Sequence, residues 1–265
     1  MSDPVLEVSN LCKQFGEVLA VDDVSFTVDP GESVAIVGES GSGKTTIARM
    51  LVGLERPTSG TITISGKDRS VPKRSTASRR ERGRDLQIVF QDPYASLDPR
   101  QSANAALEEL LKLHHPGTAE RRRRRVAELG DMVGLDDRQM RALPRSLSGG
   151  QRQRVAIARA LAAEPRVLVL DESVSALDVS IQAQVLNLLA DIREATGVSY
   201  VLISHDLAVV RQLTERILVM YRGRIVERGA TPDVLDHPAE EYTKLLRASV
   251  PGPGWKPPER SLGAG

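Results

Sequence analysis

A glycine-rich stretch that leads from an apolar segment into a helical one constrains this chain more than any other feature. Gly38–Thr45 reads GESGSGKT, which fits the pattern G-x-x-x-x-G-K-[ST], and it follows the apolar run Val34–Val37. Glycines allow backbone N–H groups to point at phosphate oxygens, and the start of a helix adds a partial positive charge. The pattern predicts a phosphate-binding loop; a turn without a ligand is the alternative.

Residues of this loop have distinct predicted roles. Lys44 is expected to reach the β- and γ-phosphates of a nucleotide, and the Thr45 hydroxyl is placed to ligate Mg²⁺. The predicted phosphate contacts in the loop and the first helical turn are Gly38, Glu39, Ser40, Gly41, Ser42, Gly43, Lys44, Thr45 and Thr46.

Two carboxylates follow a second apolar segment. Asp171 and Glu172 come directly after Val167–Leu170, which reads as a buried strand. Ligands of open α/β sheets bind at the carboxyl ends of the strands. Asp171 therefore suits the Mg²⁺ shell, and Glu172 suits a general base that faces an attacking water. A strand that ends in two solvated acids is the alternative.

A second turn followed by a helix lies between these two motifs. Leu147–Gln151 reads LSGGQ, and Ser148 can cap the helix that follows. The free N–H groups of the first turn form a second anion site. Because the first loop already holds the phosphates, this second site suggests contact with a second molecule of the same protein. A capped helix without a ligand is the alternative.

Strand-like segments alternate with helical patterns in the last third of the chain, which predicts an open α/β sheet with right-handed crossovers. Apolar spacing predicts a mostly helical insertion at about residues 92–147, whose second helix is capped by Thr118 and followed by Gly134. Arg69–Arg84 reads as a loop. The segment 250–265 is rich in Pro and Gly and is expected to be a flexible tail.

Composition excludes several classes of protein. Lys plus Arg number 36 and Asp plus Glu number 35, which argues against a dedicated nucleic-acid binder. Cys12 is the single cysteine, so an intrachain disulfide or a cysteine-based metal cluster cannot form. No run of about 18 apolar residues is present, so a membrane role would depend on partner proteins. Arg121–Arg125 is expected to be a solvated helix surface, with contact to anionic lipid as the alternative.

The three motifs, in this order and spacing, resemble the ATP-binding cassette (ABC) ATPases, and the resemblance extends from about Leu6 to Arg247. It implies an α/β fold of the P-loop NTPase type with a RecA-like parallel-sheet core. An N-terminal antiparallel β subdomain and an inserted α-helical subdomain would complete one ATPase domain at residues 5–249. It also implies ATP and Mg²⁺ as cofactors.

The resemblance assigns roles to further residues. Phe15 would stack on adenine, Gln91 would contact Mg²⁺, and His205 would touch the γ-phosphate, while Ser175–Asp178 is similar to the D-loop. Plainer alternatives are a core Phe, a strand-end Gln, a satisfied loop His and a mere N-cap at Asp178. The implied catalytic residues are Glu172, His205 and Gln91; the metal ligands are Thr45, Gln91 and Asp171; the further nucleotide contacts are Phe15, Ser148, Gly149, Gly150, Gln151 and Asp178.

Two stretches narrow the resemblance further. Phe90–Arg100 and Ser175–Gln184 are similar to ATPase subunits of dipeptide, oligopeptide and nickel importers, as is a C-terminal segment that contains His237 and Tyr242. This implies an ATPase at the cytoplasmic face of the membrane that serves an importer, with di- or oligopeptides as the expected cargo. Nickel or another small solute is the alternative cargo.

The implied partners are two transmembrane permease subunits, a second ATPase subunit packed head to tail (a copy or a paralogue), and indirectly an extracytoplasmic solute-binding protein. No nucleic-acid partner is expected. Tyr94–Arg100 and the helical insertion are expected to dock on a permease. A soluble ABC ATPase of DNA repair or translation is a second hypothesis, but those proteins typically carry two cassettes or long coiled coils. A silent regulatory partner is a third, opposed by the presence of Glu172 and His205.

Overall fold

Two sheets form the centre of the computed structural model, which describes residues 3–71, 75–92, 96–115 and 117–248. The first sheet is antiparallel and four-stranded. In its strand Val18–Val28 the side chains of Val24, Phe26 and Val28 are buried and alternate with more exposed ones. In spatial order its strands are β2 (Val18–Val28), β1 (Leu6–Phe15), β4 (Ser59–Ile64) and β5 (Lys67–Asp68).

The second sheet has six strands and is parallel except at one edge. Its strands, in spatial order, are β10 (Arg224–Ala230), β9 (Arg216–Tyr221), β3 (Ser33–Val37), β8 (Ser199–Ser204), β7 (Val167–Asp171) and β6 (Leu86–Val89). The edge strand β10 runs antiparallel to β9, and a turn at Arg222–Gly223 joins the two strands. Every residue of β3, β7 and β8 is buried, because both faces of these strands are covered.

Each face of the parallel sheet packs against a different layer. Val34 and Ile36 of β3 face a core shared with the antiparallel sheet and with helix α1 (Lys44–Leu51). Ala35 and Val37 face the opposite core. Helices α6 (Gly149–Leu161), α7 (Val179–Thr196) and α8 (Leu207–Leu213) contribute to that second core. Together with the two sheets, this arrangement confirms the predicted α/β fold with an antiparallel N-terminal sheet.

The parallel strands end level with one another. Val37 of β3 is in register with Ser204 of β8, and Asp171 of β7 is in register with Ile203. The loop after β3, the acids at the end of β7 and the residue after β8 therefore meet at one carboxyl edge of the sheet.

A series of helices lies between β6 and α6. Leu107, Leu111, Val126 and Leu129 are buried among them, as their helical spacing predicts. Arg121 N donates to the Thr118 hydroxyl at 3.2 Å, which confirms the predicted cap. The elements are α3 (Ala103–His114), α4 (Ala119–Met132), α5 (Asp137–Arg141) and a 3₁₀ turn at Pro144–Ser146. The limits of a helical subdomain at 92–147, and those of the ATPase domain at 5–249, stay predictions.

The prediction of a loop at Arg69–Arg84 is wrong. Helix α2 (Thr76–Asp85) occupies most of this stretch and begins at Ser75, whose hydroxyl accepts from Ser78 N at 3.2 Å. None of its residues is buried, so the sequence carries no apolar stripe that would indicate a helix. Arg69 instead ties its last turn to the sheet, 3.0 Å from Glu81 and 2.5 Å from Asp85.

The end of the described chain is helical. Helix α9 (Thr231–Asp236) follows β10 directly and carries Pro232 in its first turn, and α10 (Glu241–Ala248) comes after it. None of the helices in the described ranges has the length and apolarity needed to cross a bilayer. The predicted flexible tail at 250–265 lies outside the described residues.

Candidate functional site

The loop Gly38–Thr45 links β3 to α1 and is pressed against neighbouring backbone. A Cβ atom on Gly38 would lie 2.2 Å from Met220 O, and one on Gly43 would lie 2.3 Å from Ala20 O. Both glycines also have positive φ, 153° and 107°. Only glycine fits these two positions, so the path of the loop is fixed by close backbone contact.

Lys44 is buried in the centre of this loop, with 5% of its surface exposed. Its Nζ donates to Gly38 O and Glu39 O, both at 2.7 Å. Burial lowers the pKa of the ammonium group, and the nearby carboxylates of Glu172 and Asp171 oppose this effect. The ammonium donates to neutral carbonyl oxygens. Phosphate oxygens carry negative charge and would accept stronger hydrogen bonds from it.

The remaining predicted contact residues differ in exposure. Ser40 is exposed in the loop, Ser42 is buried, and Thr46 lies in the first turn of α1. Gly41 has a positive φ of 82° and open space around the position of its missing side chain. Their contacts with a nucleotide stay predictions.

Asp171 ends β7 and presents a carboxylate oxygen that the described residues do not satisfy. The side chain is buried, and Oδ1 has no hydrogen-bond partner in the described ranges. Burial raises the pKa of the carboxyl, and Glu172 adds to this; Arg49, Lys44 and a hydrogen bond from Thr45 lower it. A buried, unpaired oxygen beside a hydroxyl fits Mg²⁺, which binds few protein oxygens and takes the rest from phosphates and water.

Glu172 lies directly after β7 in a left-handed conformation, with a φ of 48°. Its N–H donates to Ile203 O at 2.9 Å, which fixes the turn. The side chain then points towards His205, whose Nδ1 lies 3.2 Å from Glu172 Oε1. With 22% and 58% of these two side chains exposed, both can reach a ligand from solvent.

Gln91 is joined to the same acidic edge through Ser175. Gln91 Nε2 donates to Ser175 Oγ at 3.3 Å, and this hydroxyl donates to Glu172 O at 2.9 Å. The structure thus brings Gln91 and Glu172 together. The link through Ser175 was not predicted, although Ser175 belongs to the predicted D-loop.

Phe15 lies at the end of β1 with 46% of its surface exposed. The Nζ of Lys13 lies 4.6 Å from the centre of its ring. The alternative of a core phenylalanine is therefore wrong. An exposed ring at the tip of the antiparallel sheet is consistent with stacking on adenine, which stays a prediction.

The LSGGQ turn forms a complete capping box. Gln151 N donates to Ser148 Oγ at 3.3 Å, and Ser148 N donates to Gln151 Oε1 at 2.8 Å. A Cβ on Gly150 would lie 2.5 Å from Ile181 Cγ2, and one on Gly149 would lie 3.7 Å from Leu177 Cδ2. The turn therefore packs directly against the D-loop and the start of α7.

Asp178 occupies the N-cap position of α7, but its side chain makes no capping hydrogen bond. The alternative in which this carboxylate serves only as a cap is therefore not supported by the geometry. Its side chain is exposed beside Val179, of which 82% is exposed.

Comparison with known proteins identifies the family. The profile described as ABC transporter matches residues 21–175, which is more than half of the chain. The chain belongs to the ABC transporter family. This ABC chain is 45% identical over 234 residues to the oligopeptide transport ATP-binding protein OppF of Lactococcus lactis. The aligned region covers 88% of this chain and 73% of the relative.

Two further relatives are longer proteins. The glutathione import ATP-binding protein GsiA of Pectobacterium atrosepticum is 44% identical over 261 residues, which cover 94% of this cassette and 42% of the relative. OppD, an oligopeptide transport ATP-binding protein of Mycobacterium tuberculosis, is 48% identical over 243 residues, covering 92% and 39%. This cassette thus spans about two fifths of the length of these two relatives.

Solved cassettes share the fold. CbiO1 of Clostridium perfringens, part of the ABC transporter complex cbiONQ, has a TM-score of 0.80 at 26% identity, covering 96% of this chain and 97% of the other. A dimeric structure of the ATP-binding cassette MJ0796 bound to ADP and Pi has a TM-score of 0.75 at 31% identity, covering 85% and 98%.

Proposed function

We propose that this chain is the ATP-hydrolysing subunit of a peptide importer at the cytoplasmic face of a membrane. The contact of Glu172 with His205, at the sheet edge that also holds Lys44 and Asp171, carries the proposal. This arrangement gathers a phosphate-binding loop, a cation ligand and a candidate base at one edge of the sheet.

The first step of the proposed cycle is nucleotide binding. Lys44 exchanges its two carbonyl partners for phosphate oxygens, and the backbone N–H groups of the loop bind the phosphates. Thr45 and Asp171 would hold Mg²⁺, with Gln91 as a further ligand. When bound, Mg²⁺ neutralises the charge that develops on the phosphate oxygens. Phe15 would stack on the adenine.

The chemical step depends on Glu172. Its carboxylate accepts a proton from the water that attacks the terminal phosphorus, and the bond from that phosphorus to the bridging oxygen of ADP breaks. His205 orients the Glu172 carboxylate and extends towards the γ-phosphate. Gln91 is linked to the backbone of Glu172 through the hydroxyl of Ser175, so a movement of Glu172 would reach Gln91.

A second cassette would complete the site from outside. Ser148, Gly149, Gly150 and Gln151 form a capped helix start whose outward N–H groups suit the γ-phosphate held by the opposite subunit. The dimeric structures of the MJ0796 cassette support the pairing of two cassettes. Asp178 and Val179, exposed next to the LSGGQ turn, would lie in the same interface. The second subunit is a copy of this chain or a paralogue.

A groove beside Gln91 is the proposed dock for a permease. It measures about 690 Å³ and is lined in part by Leu54, Arg82, Ile88 and Phe90. Phe90 directly precedes Gln91, so a permease segment seated there would be coupled to the site. The predicted dock at Tyr94–Arg100 follows Gln91 closely in the sequence, but Pro93, Tyr94 and Ala95 lie outside the described residues.

The names of the relatives favour a peptide as the cargo. GsiA is named for glutathione import and OppD and OppF for oligopeptide transport. Glutathione and oligopeptides share peptide bonds, whereas none of these names refers to nickel, DNA repair or translation. A solute-binding protein would deliver the peptide to the permeases without touching this chain.

Transport in reconstituted vesicles tests the proposal. The chain, its permeases and the binding protein are placed in proteoliposomes, and uptake of labelled di- and oligopeptides is compared with uptake of nickel. We expect peptide uptake that requires ATP and disappears with Glu172→Gln. ATP hydrolysis without peptide uptake would contradict the cargo, and an absence of hydrolysis in the assembled complex would contradict the function itself.

A further inference from the structure

The C-terminal helix α10 touches the phosphate-binding loop through one side chain. Glu39 N, in the loop, donates a hydrogen bond of 2.9 Å to the hydroxyl oxygen of Tyr242. Tyr242 lies in the first turn of α10, in the segment that resembles peptide and nickel importers. The reactions proposed above leave this side chain without a role.

Tyr242 is held in place from the side of the sheet. Its ring lies 4.3 Å from the ring of Tyr221, centre to centre, at an interplanar angle of 35°. Tyr221 is the last residue of β9, and the guanidinium of Arg222 lies 5.1 Å from the centre of its ring. The stacking fixes the hydroxyl of Tyr242 relative to the sheet from which the loop emerges.

The backbone N–H and the backbone carbonyl of Glu39 each form a hydrogen bond with a side chain. Its N–H binds Tyr242, and its carbonyl accepts from Lys44 Nζ at 2.7 Å and from Ser42 N at 3.2 Å. Nucleotide phosphates would compete for Lys44. Once Lys44 turns to them, Tyr242 is the side chain that still fixes Glu39.

We propose that Tyr242 is a positioning residue for nucleotide binding: its hydroxyl holds the Glu39 amide, so that the shape of the loop depends on α10. This inference rests on the proposed function, because the loop must bind a nucleotide for its shape to matter. Tyr242 touches no reacting atom. Its loss should therefore weaken binding without slowing hydrolysis at saturation.

Binding of MgATP to the full chain, in a Glu172→Gln background that prevents turnover, tests this role by calorimetry. Tyr242→Phe removes only the hydroxyl, and we expect the dissociation constant to rise about two- to tenfold, the range of one neutral hydrogen bond. Tyr221→Phe is the matched control, because it keeps the ring contact and should leave the constant unchanged. The amide of Glu39 should exchange with deuterium faster in Tyr242→Phe.

Kinetics of the assembled transporter separate positioning from a general loss of structure. In Tyr242→Phe the KM for ATP should rise by the same factor while kcat stays within about twofold. An unchanged dissociation constant in Tyr242→Phe, or an equal rise in Tyr221→Phe, would overturn this role. A parent chain that binds no MgATP would instead overturn the proposed function, so the two failures are distinguishable.

Discussion

His205 Nδ1 lies 3.2 Å from Glu172 Oε1 across the ends of two adjacent parallel strands. The strands bring these residues together because β7 and β8 end in register. With a proton on Nδ1, His205 donates to the carboxylate and limits its rotation. The pair therefore holds the carboxylate that we propose as the base in one orientation before any ligand arrives.

Glu172→Gln should keep nucleotide binding and nearly abolish hydrolysis. The amide is similar in size to the carboxylate but cannot accept the proton of the attacking water. We expect a fall in kcat of about 10²–10³ or more, the scale for loss of one well-placed catalytic group. Phosphate release by the assembled transporter measures it. Hydrolysis at the rate of the parent protein would disprove the assignment.

Lys44→Ala should weaken nucleotide binding itself. The substitution removes the buried ammonium that would meet the phosphates, a charge-assisted contact worth about 1.5–3 kcal/mol, so the dissociation constant should rise more than tenfold. Lys67→Ala is the control, because Lys67 is exposed and pairs with Glu81 at 2.8 Å. Equal affinities of the two variants in calorimetry would count against the role of Lys44.

Gly43→Ala should destabilise the fold more than Gly41→Ala. Both positions have positive φ, so both alanines are strained. Only at Gly43 would the new Cβ overlap a backbone atom, Ala20 O at 2.3 Å, whereas nothing lies within 4 Å at Gly41. We expect an additional loss of about 1–3 kcal/mol in the free energy of unfolding. Urea unfolding without nucleotide measures the difference, and equal losses would contradict the described contact.

His114 should make stability fall in mild acid. It is buried in α3, and burial lowers its pKa below 6.5, with Arg84, His115 and Arg80 adding to the effect. His114 then binds a proton more readily in the unfolded chain than in the folded chain. The stability that neutral His114 gives the folded chain is therefore lost as the pH falls below 6.5. The stability advantage over His114→Gln should shrink between about pH 7.5 and 5.5. A pH-independent advantage would contradict this.

The phosphate-binding loop and the acids Asp171 and Glu172 could be located from the sequence because each follows a continuous apolar run. Val34–Val37 and Val167–Leu170 identify buried parallel strands, and their ends must share one sheet edge. Helix α2 could not be predicted, because ion pairs with Arg69 replace an apolar stripe there.

Contacts between residues far apart in the chain also could not be predicted from the sequence. No spacing rule connects Glu39 with Tyr242, since the fold alone brings them together. The link from Gln91 through Ser175 is of the same kind. The exposure of Phe15 could not be deduced either, because a single aromatic residue in a strand is compatible with both faces of the sheet.

A cross-link between two cassettes tests whether the Ser148 turn of a second subunit completes the loop at Lys44. In a Cys12→Ser, Glu172→Gln background, one cassette carries Ser40→Cys and the other Ser148→Cys, or the matching serine of a paralogue. With a short thiol cross-linker on the assembled transporter, we predict a covalent dimer that forms with MgATP and not without nucleotide. A yield that is independent of MgATP, or no dimer at all, would contradict the account.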